Sequence, residues 1–223
     1  MNIPGRVLEW LSGELEMPHT FLTPKTGAAG KLEGIGILSR HPFLERKELD
    51  LRHQNRVAQF VEVEIEGNRL VLANAHFYWP TGESEIRQEQ VDLLLDWLEA
   101  IPGDPPILVC GDYNTTPDST SIKKMKQRFK SAYEAVHGEE PEKTNPIPLP
   151  HAKSFLVEIL SEMGGQFKLG DLAINIPGTL DYIFFNDRLK VIDARVVFDQ
   201  PKEEGSDIYP SDHYGLAGEF EFA

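Results

Sequence analysis

The chain has 223 residues, 40% of them hydrophobic and 26% charged, which is the composition of a globular domain rather than of a disordered chain. Its formal net charge of −14 argues against a protein that coats nucleic acid through a broad basic surface. The length allows one substantial core, so we predict a single domain over residues 1–223.

Signals for membranes and disulfides are missing from the sequence. No apolar stretch is long enough to cross a bilayer, and charged residues interrupt the first 16 positions, where a signal peptide would be apolar. Cys110 is the only cysteine, which excludes an intramolecular disulfide and a cysteine-based zinc site. We therefore expect a cytoplasmic protein.

The first half of the chain predicts one helix followed by strands. Residues 4–16 carry apolar residues at helical spacing after a proline that suits a first turn, so they predict an amphipathic helix. The apolar run 34–39 predicts a buried strand. Residues 56–65 and 69–75 flank a turn and predict an antiparallel hairpin.

The second half mixes helices with strands. The clearest helix is predicted at 84–101, followed by a short strand at 107–110 and a helix at 119–128. The proline-rich stretch 137–150 predicts a loop, and 151–163 predicts a helix beside the site. Three further segments predict strands: 180–185, 190–197 and 214–222. This order favours a layered α/β fold with largely antiparallel sheets over a Rossmann arrangement.

Four short polar motifs lie at the ends of these predicted strands, or just beyond them. They are Ala-His-Phe at 75–77, Gly-Asp-Tyr-Asn at 111–114, Leu-Asp-Tyr-Ile at 180–183 and Ser-Asp-His at 211–213. Carboxylate, carboxamide and imidazole groups suit a magnesium ion and a phosphate better than a soft metal. The motifs therefore predict that the protein catalyses a reaction.

Asp112 and Asn114 follow a buried strand that ends in a glycine. In an extended segment these two side chains face the same way, because side chains alternate with period two. The carboxylate could then orient a water molecule and take its proton, while the carboxamide contacts a phosphate oxygen. The alternative is a plain turn, since both residue types are common after strands.

Asp181 stands within an otherwise apolar run, so its carboxylate needs a partner. A histidine is the natural one, because the pair would keep the imidazole protonated and oriented. Adjacent side chains on an extended chain point apart, so Asp212 and His213 would need a bend to converge or would serve different partners, the first a metal ion and the second a phosphate. The alternatives are a backbone hydrogen bond for Asp181 and a capping carboxylate beside a surface histidine for the other two.

His76 ends a predicted strand, and Arg56 begins another. Either residue could contact a phosphate. The alternatives are a structural histidine and a solvated arginine, which are common at such positions.

Taken together and in this order, the motifs resemble those of the endonuclease/exonuclease/phosphatase superfamily, which includes DNase I-like nucleases, deadenylases, sphingomyelinases and inositol-phosphate phosphatases. The resemblance covers roughly residues 30–223, and the stretches 111–119 and 210–213 look most like the deadenylase-type and bacterial branches. It implies a four-layer α/β/β/α sandwich of mainly antiparallel sheets. It also implies hydrolysis of a phosphoester with Mg²⁺ or alternatively Mn²⁺, and we expect the bond to be a phosphodiester.

The resemblance also implies roles for individual residues. Asp112 activates or orients the attacking water, and Asn114 positions that water or the phosphate. His213, paired with Asp181, stabilises the charge that develops on the phosphoryl oxygens. The remaining roles are metal binding by Asp212 and Asp112, and phosphate contact by His76, Asn114 and Arg56.

One departure from the superfamily pattern changes what we expect of this chain. Members open with a strand that carries an asparagine and a strand that ends in Gln-Glu, whose glutamate is a principal metal ligand. Neither element precedes the helix predicted at 4–16, and Glu9, Glu14 and Glu16 on that helix are not expected to replace it. We expect an N-terminally shortened form with lower metal affinity and an uncovered apolar sheet surface, which would favour self-association.

The sequence therefore predicts a magnesium-dependent phosphoesterase whose activity is reduced or lost because the glutamate is absent. The alternative is a non-catalytic binding or scaffold domain that keeps the fold. The phosphorylated substrate stays open among a nucleic acid, a lipid head group and a small metabolite.

Overall fold

A computed structural model describes residues 4–27, 33–79, 83–144, 178–203 and 209–223. Its strands are β1 His19–Pro24, β2 Gly34–Ser39, β3 Phe43–Asp50, β4 Val57–Ile65, β5 Asn68–His76, β6 Ile107–Asp112, β7 Lys130–Ser131, β8 Asp181–Phe185, β9 Leu189–Val197 and β10 Gly215–Phe222. Its α-helices are α1 Pro4–Glu14, α2 Glu85–Glu99, α3 Thr120–Lys126 and α4 Ala132–His137. A 3₁₀ turn, His53–Asn55, connects β3 to β4.

The main sheet has six strands in the order β3-β4-β5-β6-β8-β7. Only β5 and β6 run parallel, and the crossover between them contains α2. All the other neighbours in this sheet are antiparallel. The predicted α/β fold with mainly antiparallel sheets is therefore confirmed.

One face of the main sheet packs against α2 and α3. Because side chains alternate along a strand, every second residue of the central strands points to this face. These strand residues pack against the apolar faces of the two helices, and both sets are almost fully buried. The strand residues are Val71, Ala73, Val109, Tyr182 and Phe184, and the helix residues are Val91, Leu94, Leu98, Ile122 and Met125. This cluster is the larger of the two cores.

The opposite face carries two separate two-stranded ladders. The β1–β2 ladder lies over β4 and β5, and the β9–β10 ladder approaches the main sheet at β8. Helix α1 covers the outer side of β1–β2, where Leu8 comes close to Gly36. The layers thus follow the order helices, main sheet, ladders, helix, which is the predicted α/β/β/α order.

Strand β6 lies between the two ladders, and the main sheet is less well covered there. On the ladder side Leu72, Leu108 and Ile183 are only half-buried. On the helix side of the same strands, Val71 and Val109 are 0% exposed. The difference shows that the second core, which lies between the main sheet and the two ladders, is thinner over the middle of the sheet.

Most predicted elements form with ends within a few residues of the expected ones, including α1, the β4–β5 hairpin, α2 and β8 to β10. Several elements were not predicted: β1, β3, β7 and α4. Strand β3 (FLERKELD) lies at the edge of the sheet and is mostly exposed, so it lacks a clear apolar alternation. The helix predicted at 151–163 lies outside the described residues.

Gly111 allows β6 to approach β5 at the end where the polar motifs lie. Its φ angle is +151°, and it pairs with Ala75 in the ladder. A Cβ atom at this position would collide with the carbonyl oxygen of Ala75. Any other residue here would therefore push the two strands apart.

We expect Gly111→Ala to lower the free energy of unfolding by about 2–4 kcal/mol, because it adds a backbone clash to an unfavourable φ angle. Urea unfolding followed by circular dichroism measures the change. Gly13→Ala is the matched control, since nothing lies within 4 Å of a Cβ atom at Gly13. Equal effects of the two substitutions would contradict this account.

Candidate active site

Three predicted site residues lie side by side across the main sheet. His76 is in register with Asp112, and Asp112 is in register with Asp181. The pairing of β5, β6 and β8 therefore places an imidazole and two carboxylates in one row. The ladder continues one step beyond this row, because the backbone N–H of Tyr113 donates to the carbonyl oxygen of Leu180 at 2.8 Å.

His213 reaches this row from the segment before β10. Its Nδ1 atom lies 2.7 Å from Oδ2 of Asp181. Partial burial works against the charged imidazolium, but the hydrogen bond to Asp181 and the negative charge of that carboxylate outweigh it and raise the pKa of His213 to about 9. The imidazole is therefore cationic at neutral pH and presents its Nε2–H away from Asp181.

Asp112 is the second carboxylate of the site. Burial, followed by the negative charge of Asp181, raises the pKa of Asp112 to about 7. One ligand atom each from Asp112, Asp181 and His213 lies within 4.8 Å of the others. The site therefore gathers two carboxylates and one cation in a very small volume.

His76 and Arg56 form the other half of the site. Nη1 of Arg56 lies 2.8 Å from the ring nitrogens of His76, and Nε2 of His76 lies 3.4 Å from Oδ2 of Asp112. Burial, followed by the charges of Arg56 and Lys25, holds the pKa of His76 far below its usual range. His76 is therefore a neutral imidazole that can accept a hydrogen bond from the guanidinium group.

Glu33 and Lys25 surround this pair, and sequence reasoning missed both. Oε1 of Glu33 lies 3.1 Å from Nη1 of Arg56, and Oε2 lies 2.7 Å from Nζ of Lys25. Together with His76 they line a small recess beside the site. No sequence pattern indicated them, because the contact that joins them to the site, between Glu33 and Arg56, spans 23 positions.

Asn114 reaches the site by a different route from the one predicted. Strand β6 ends at Asp112, and Asn114 adopts a left-handed conformation with φ +50°. Its backbone N–H donates to Oδ1 of Asp112 at 2.8 Å, and its Nδ2 donates to the carbonyl oxygen of Phe77 at 3.2 Å. The alternation argument was therefore wrong for this residue: a turn, not an extended strand, sets its position.

Asp212 does not join the other carboxylates. It is exposed, and its Oδ1 accepts a hydrogen bond from Oγ of Ser211 at 3.2 Å. The cluster of candidate ligand atoms in the described residues contains Asp181 in its place. The structure thus brings together Arg56, His76, Asp112, Asn114, Asp181 and His213 but leaves the predicted metal ligand Asp212 outside.

Helix α2 holds the loop that follows His76, through residues that sequence reasoning did not single out. Nε and Nη2 of Arg87 donate to the carbonyl oxygen of Tyr78 at 3.1 and 3.0 Å. The backbone N–H of Tyr78 donates to Oε1 of Gln90 at 2.7 Å. Both side chains are 0% exposed. The helical spacing of the sequence could have indicated this burial, because Arg87 and Gln90 lie on the same face of the helix as Val91 and Leu94.

The donor set suits a hard divalent cation. Asp112 and Asp181 offer carboxylate oxygens, the preferred ligands of Mg²⁺. Burial and then the charge of Asp181 raise the pKa of Asp112, and a bound cation would lower it again. The protonated imidazole of His213 is not a ligand in this state. Of the described residues, Asp112 and Asp181 therefore fit the ion best.

Comparison with known proteins agrees with this geometry. Residues 3–213 match the model of the endonuclease/exonuclease/phosphatase family. The chain belongs to this family. Its enzymes depend on divalent metals, and the relatives found are nucleases and phosphatases.

Individual relatives are distant. The chain is 21% identical over 187 residues to the CCR4-Not complex 3'-5'-exoribonuclease subunit Ccr4 of Yarrowia lipolytica, covering 70% of this chain and 26% of that protein. It therefore spans only about a quarter of that curated relative.

Solved structures show the same fold. The human Nocturnin catalytic domain superposes with a TM-score of 0.69 and 21% identity, over 95% of this chain and 75% of that one. The Danio rerio TDP2 structure with a single-stranded DNA product gives a TM-score of 0.71 and 16% identity, over 99% and 83% of the two chains. At these identities the likeness establishes the fold alone.

No helix in the described part of the chain has the length and apolar character required to cross a membrane. This finding agrees with the sequence.

The Asp181–His213 pair makes a pH-dependent contribution to stability that can be measured. The pKa of His213 is raised, so its contribution is complete below its unfolded value of about 6.5 and is lost as the pH rises towards 9. We expect the free energy of unfolding to fall by about 1 kcal/mol per pH unit between pH 7 and 8.5.

Asp181→Asn should flatten this slope, because the raised pKa of His213 depends on the carboxylate. Urea unfolding at several pH values measures it. Asp187→Asn is the control, since Asp187 is exposed and pairs with Lys130 on the surface. An unchanged slope in Asp181→Asn would refute the assignment.

Proposed function

We propose that the protein is a metal-dependent hydrolase of phosphoester bonds, acting on phosphodiesters, with Mg²⁺ or Mn²⁺ as the ion. The observation that carries the proposal is the row His76, Asp112 and Asp181 with His213 hydrogen-bonded to its end. Hydrolysis of a phosphoester requires a group that activates water beside cations that neutralise phosphate charge, and this row supports the proposal because it offers residue types suited to both tasks. The relatives' names support the class: one is an exoribonuclease, and another was solved with a DNA product.

The charges of the site suit binding of a phosphate group. Arg56 supplies a guanidinium beside neutral His76, and His213 supplies an imidazolium held by Asp181. A phosphate bound between them would meet one cation on each side. Since phosphoryl transfer depends mainly on positioning and charge neutralisation, fixed donors of this kind provide what the reaction needs.

Asp112 is the group best placed to activate water. A carboxylate with a pKa of about 7 can take a proton near neutral pH. The water oxygen would bond to phosphorus as its proton passes to Asp112, and the bond to the leaving oxygen would break. His213, through Nε2–H, would stabilise the charge on the phosphoryl oxygens, and Asn114 would keep Asp112 oriented through its backbone N–H.

A bound divalent cation would add Lewis-acid stabilisation of the phosphate oxygens and would lower the pKa of a coordinated water. Asp112 and Asp181 are the residues that would hold it, and Asp112 would then orient the attacking water instead of taking its proton. Ion binding requires their carboxylates to be deprotonated, so affinity should fall as the pH drops below about 7.

The proposal is tested by hydrolysis of bis(4-nitrophenyl) phosphate, an activated diester. We expect turnover with Mg²⁺ or Mn²⁺, none with EDTA, and a loss of about 10²–10³-fold in kcat for Asp112→Asn. Asp92→Asn is the matched control, because Asp92 is an exposed carboxylate paired with Lys124. Preference for the monoester 4-nitrophenyl phosphate would overturn the diester assignment.

Failure of the folded chain to hydrolyse either compound would favour the second candidate function, a non-catalytic binding domain. That candidate keeps the phosphate-binding half of the site. Binding of inorganic phosphate, weakened by Arg56→Gln, would then identify it.

We also propose that the chain self-associates through the thinly covered ladder side of β6, where Leu72, Leu108 and Ile183 are half-buried. Half-buried apolar side chains between two strand ladders favour contact with a second copy of the chain.

We expect the molar mass from multi-angle light scattering to rise with protein concentration. Leu108→Lys should keep the protein monomeric. Leu44→Lys should not, since Leu44 lies on the edge strand β3 and is 56% exposed. A monomer at all concentrations would refute this proposal.

A further inference from the structure

We propose that Thr144 is a positioning residue of the active site, whose hydroxyl orients the carboxylate of Asp181 and whose backbone anchors the segment that carries His213. The inference rests on the proposed function for its kinetic part only. Thr144 lies seven residues after the end of α4 and is 0% exposed.

The hydrogen bonds of the Thr144 hydroxyl determine where its proton points. Its oxygen accepts from the backbone N–H of Leu180 at 2.9 Å and from that of Asp181 at 3.1 Å. Because a hydroxyl has two lone pairs and one proton, these two bonds use its accepting capacity. The remaining proton is directed to Oδ2 of Asp181, at 2.7 Å.

Oδ2 of Asp181 therefore receives two donors. One is the hydroxyl of Thr144, and the other is Nδ1 of His213, also at 2.7 Å. Rotation of the carboxylate about its Cβ–Cγ bond would break both bonds together. Thr144 thus favours the one orientation of Asp181 that serves His213.

The backbone of Thr144 connects the same two parts of the site. Its N–H donates to the carbonyl oxygen of Gly178 at 2.9 Å, and its carbonyl oxygen accepts from the N–H of Tyr214 at 2.8 Å. Tyr214 follows His213 directly in the chain. One buried residue therefore links the start of β8 to the segment before β10, which approach each other only in the fold.

If the Thr144 hydroxyl had a purely structural role, its removal would lower stability without changing the contact between Asp181 and His213. Thr179 provides the comparison, because it is 1% exposed and its hydroxyl donates to the backbone carbonyl oxygen of Pro141, not to a site residue. Removing either hydroxyl costs a buried hydrogen bond and lowers stability. Only the loss of the Thr144 hydroxyl should change the contact between Asp181 and His213.

The test compares Thr144→Val, which removes the hydroxyl at constant shape, with Thr144→Ser, which keeps it, and with Thr179→Val. The first measurement is the downfield proton resonance of His213 Nδ1–H, recorded by NMR on the full chain. We expect Thr144→Val to shift or broaden it. Thr144→Ser and Thr179→Val should leave it as in the wild type.

The second measurement is steady-state hydrolysis of bis(4-nitrophenyl) phosphate. We expect Thr144→Val to lower kcat about 10- to 100-fold with little change in KM, as for other partners that orient a site residue. Thr144→Ser should restore kcat to within about threefold, since it retains the donor.

Three results would overturn the proposal. They are a wild-type resonance in Thr144→Val, an equal change in Thr179→Val, and a change in Thr144→Ser as large as that in Thr144→Val. If the valine variant does not fold, a changed resonance in Thr144→Ser still overturns the proposal. The NMR measurement needs no turnover, so a wild-type chain without activity would count against the proposed function and not against the role of Thr144.

Discussion

The hydrogen bond between Asp181 and His213 is the interaction on which the rest of the site depends. Asp181 is adjacent to Asp112 in the sheet, so without a cation nearby the two carboxylates would repel each other in a buried position. His213 provides that cation because Asp181 raises its pKa to about 9. The ion pair thus allows the carboxylate of Asp112 to lie beside Asp181. The pKa of Asp112 then lies near the pH at which this residue would act as a base.

On the other side of Asp112 the positive charge belongs to an arginine and not to a histidine. His76 is neutral because burial and Arg56 disfavour its proton, so the positive charge at that end belongs to the guanidinium group. The site therefore has one cation held by a carboxylate and one held between a neutral imidazole and Glu33. A phosphate dianion or diester fits between two such charges better than a neutral substrate does.

The sequence allowed the row of site residues to be predicted because each of its members ends or begins an apolar strand. Alternation and turn signals place His76, Asp112 and Asp181 at strand ends, but they do not determine register, and it is register that makes these residues neighbours. Asp212 lies outside the cluster of candidate ligand atoms, and the sequence did not indicate this because adjacent residues in a bend cannot be assigned to a side from sequence. Thr144 was missed for a related reason: its contact to Asp181 spans 37 positions, and a lone threonine in a proline-rich loop carries no pattern.

The position of the site in the fold has a mechanical consequence. Asp112 ends β6, the strand whose ladder-side surface is only half covered, and Gly111 draws that end against β5 by backbone contact alone. The end of β6 is therefore held mainly by its two neighbouring strands and by the helix-side core. Any group that covers the ladder side of β6 would stabilise the strand that carries Asp112, and the binding of such a group would be thermodynamically coupled to the geometry of the site.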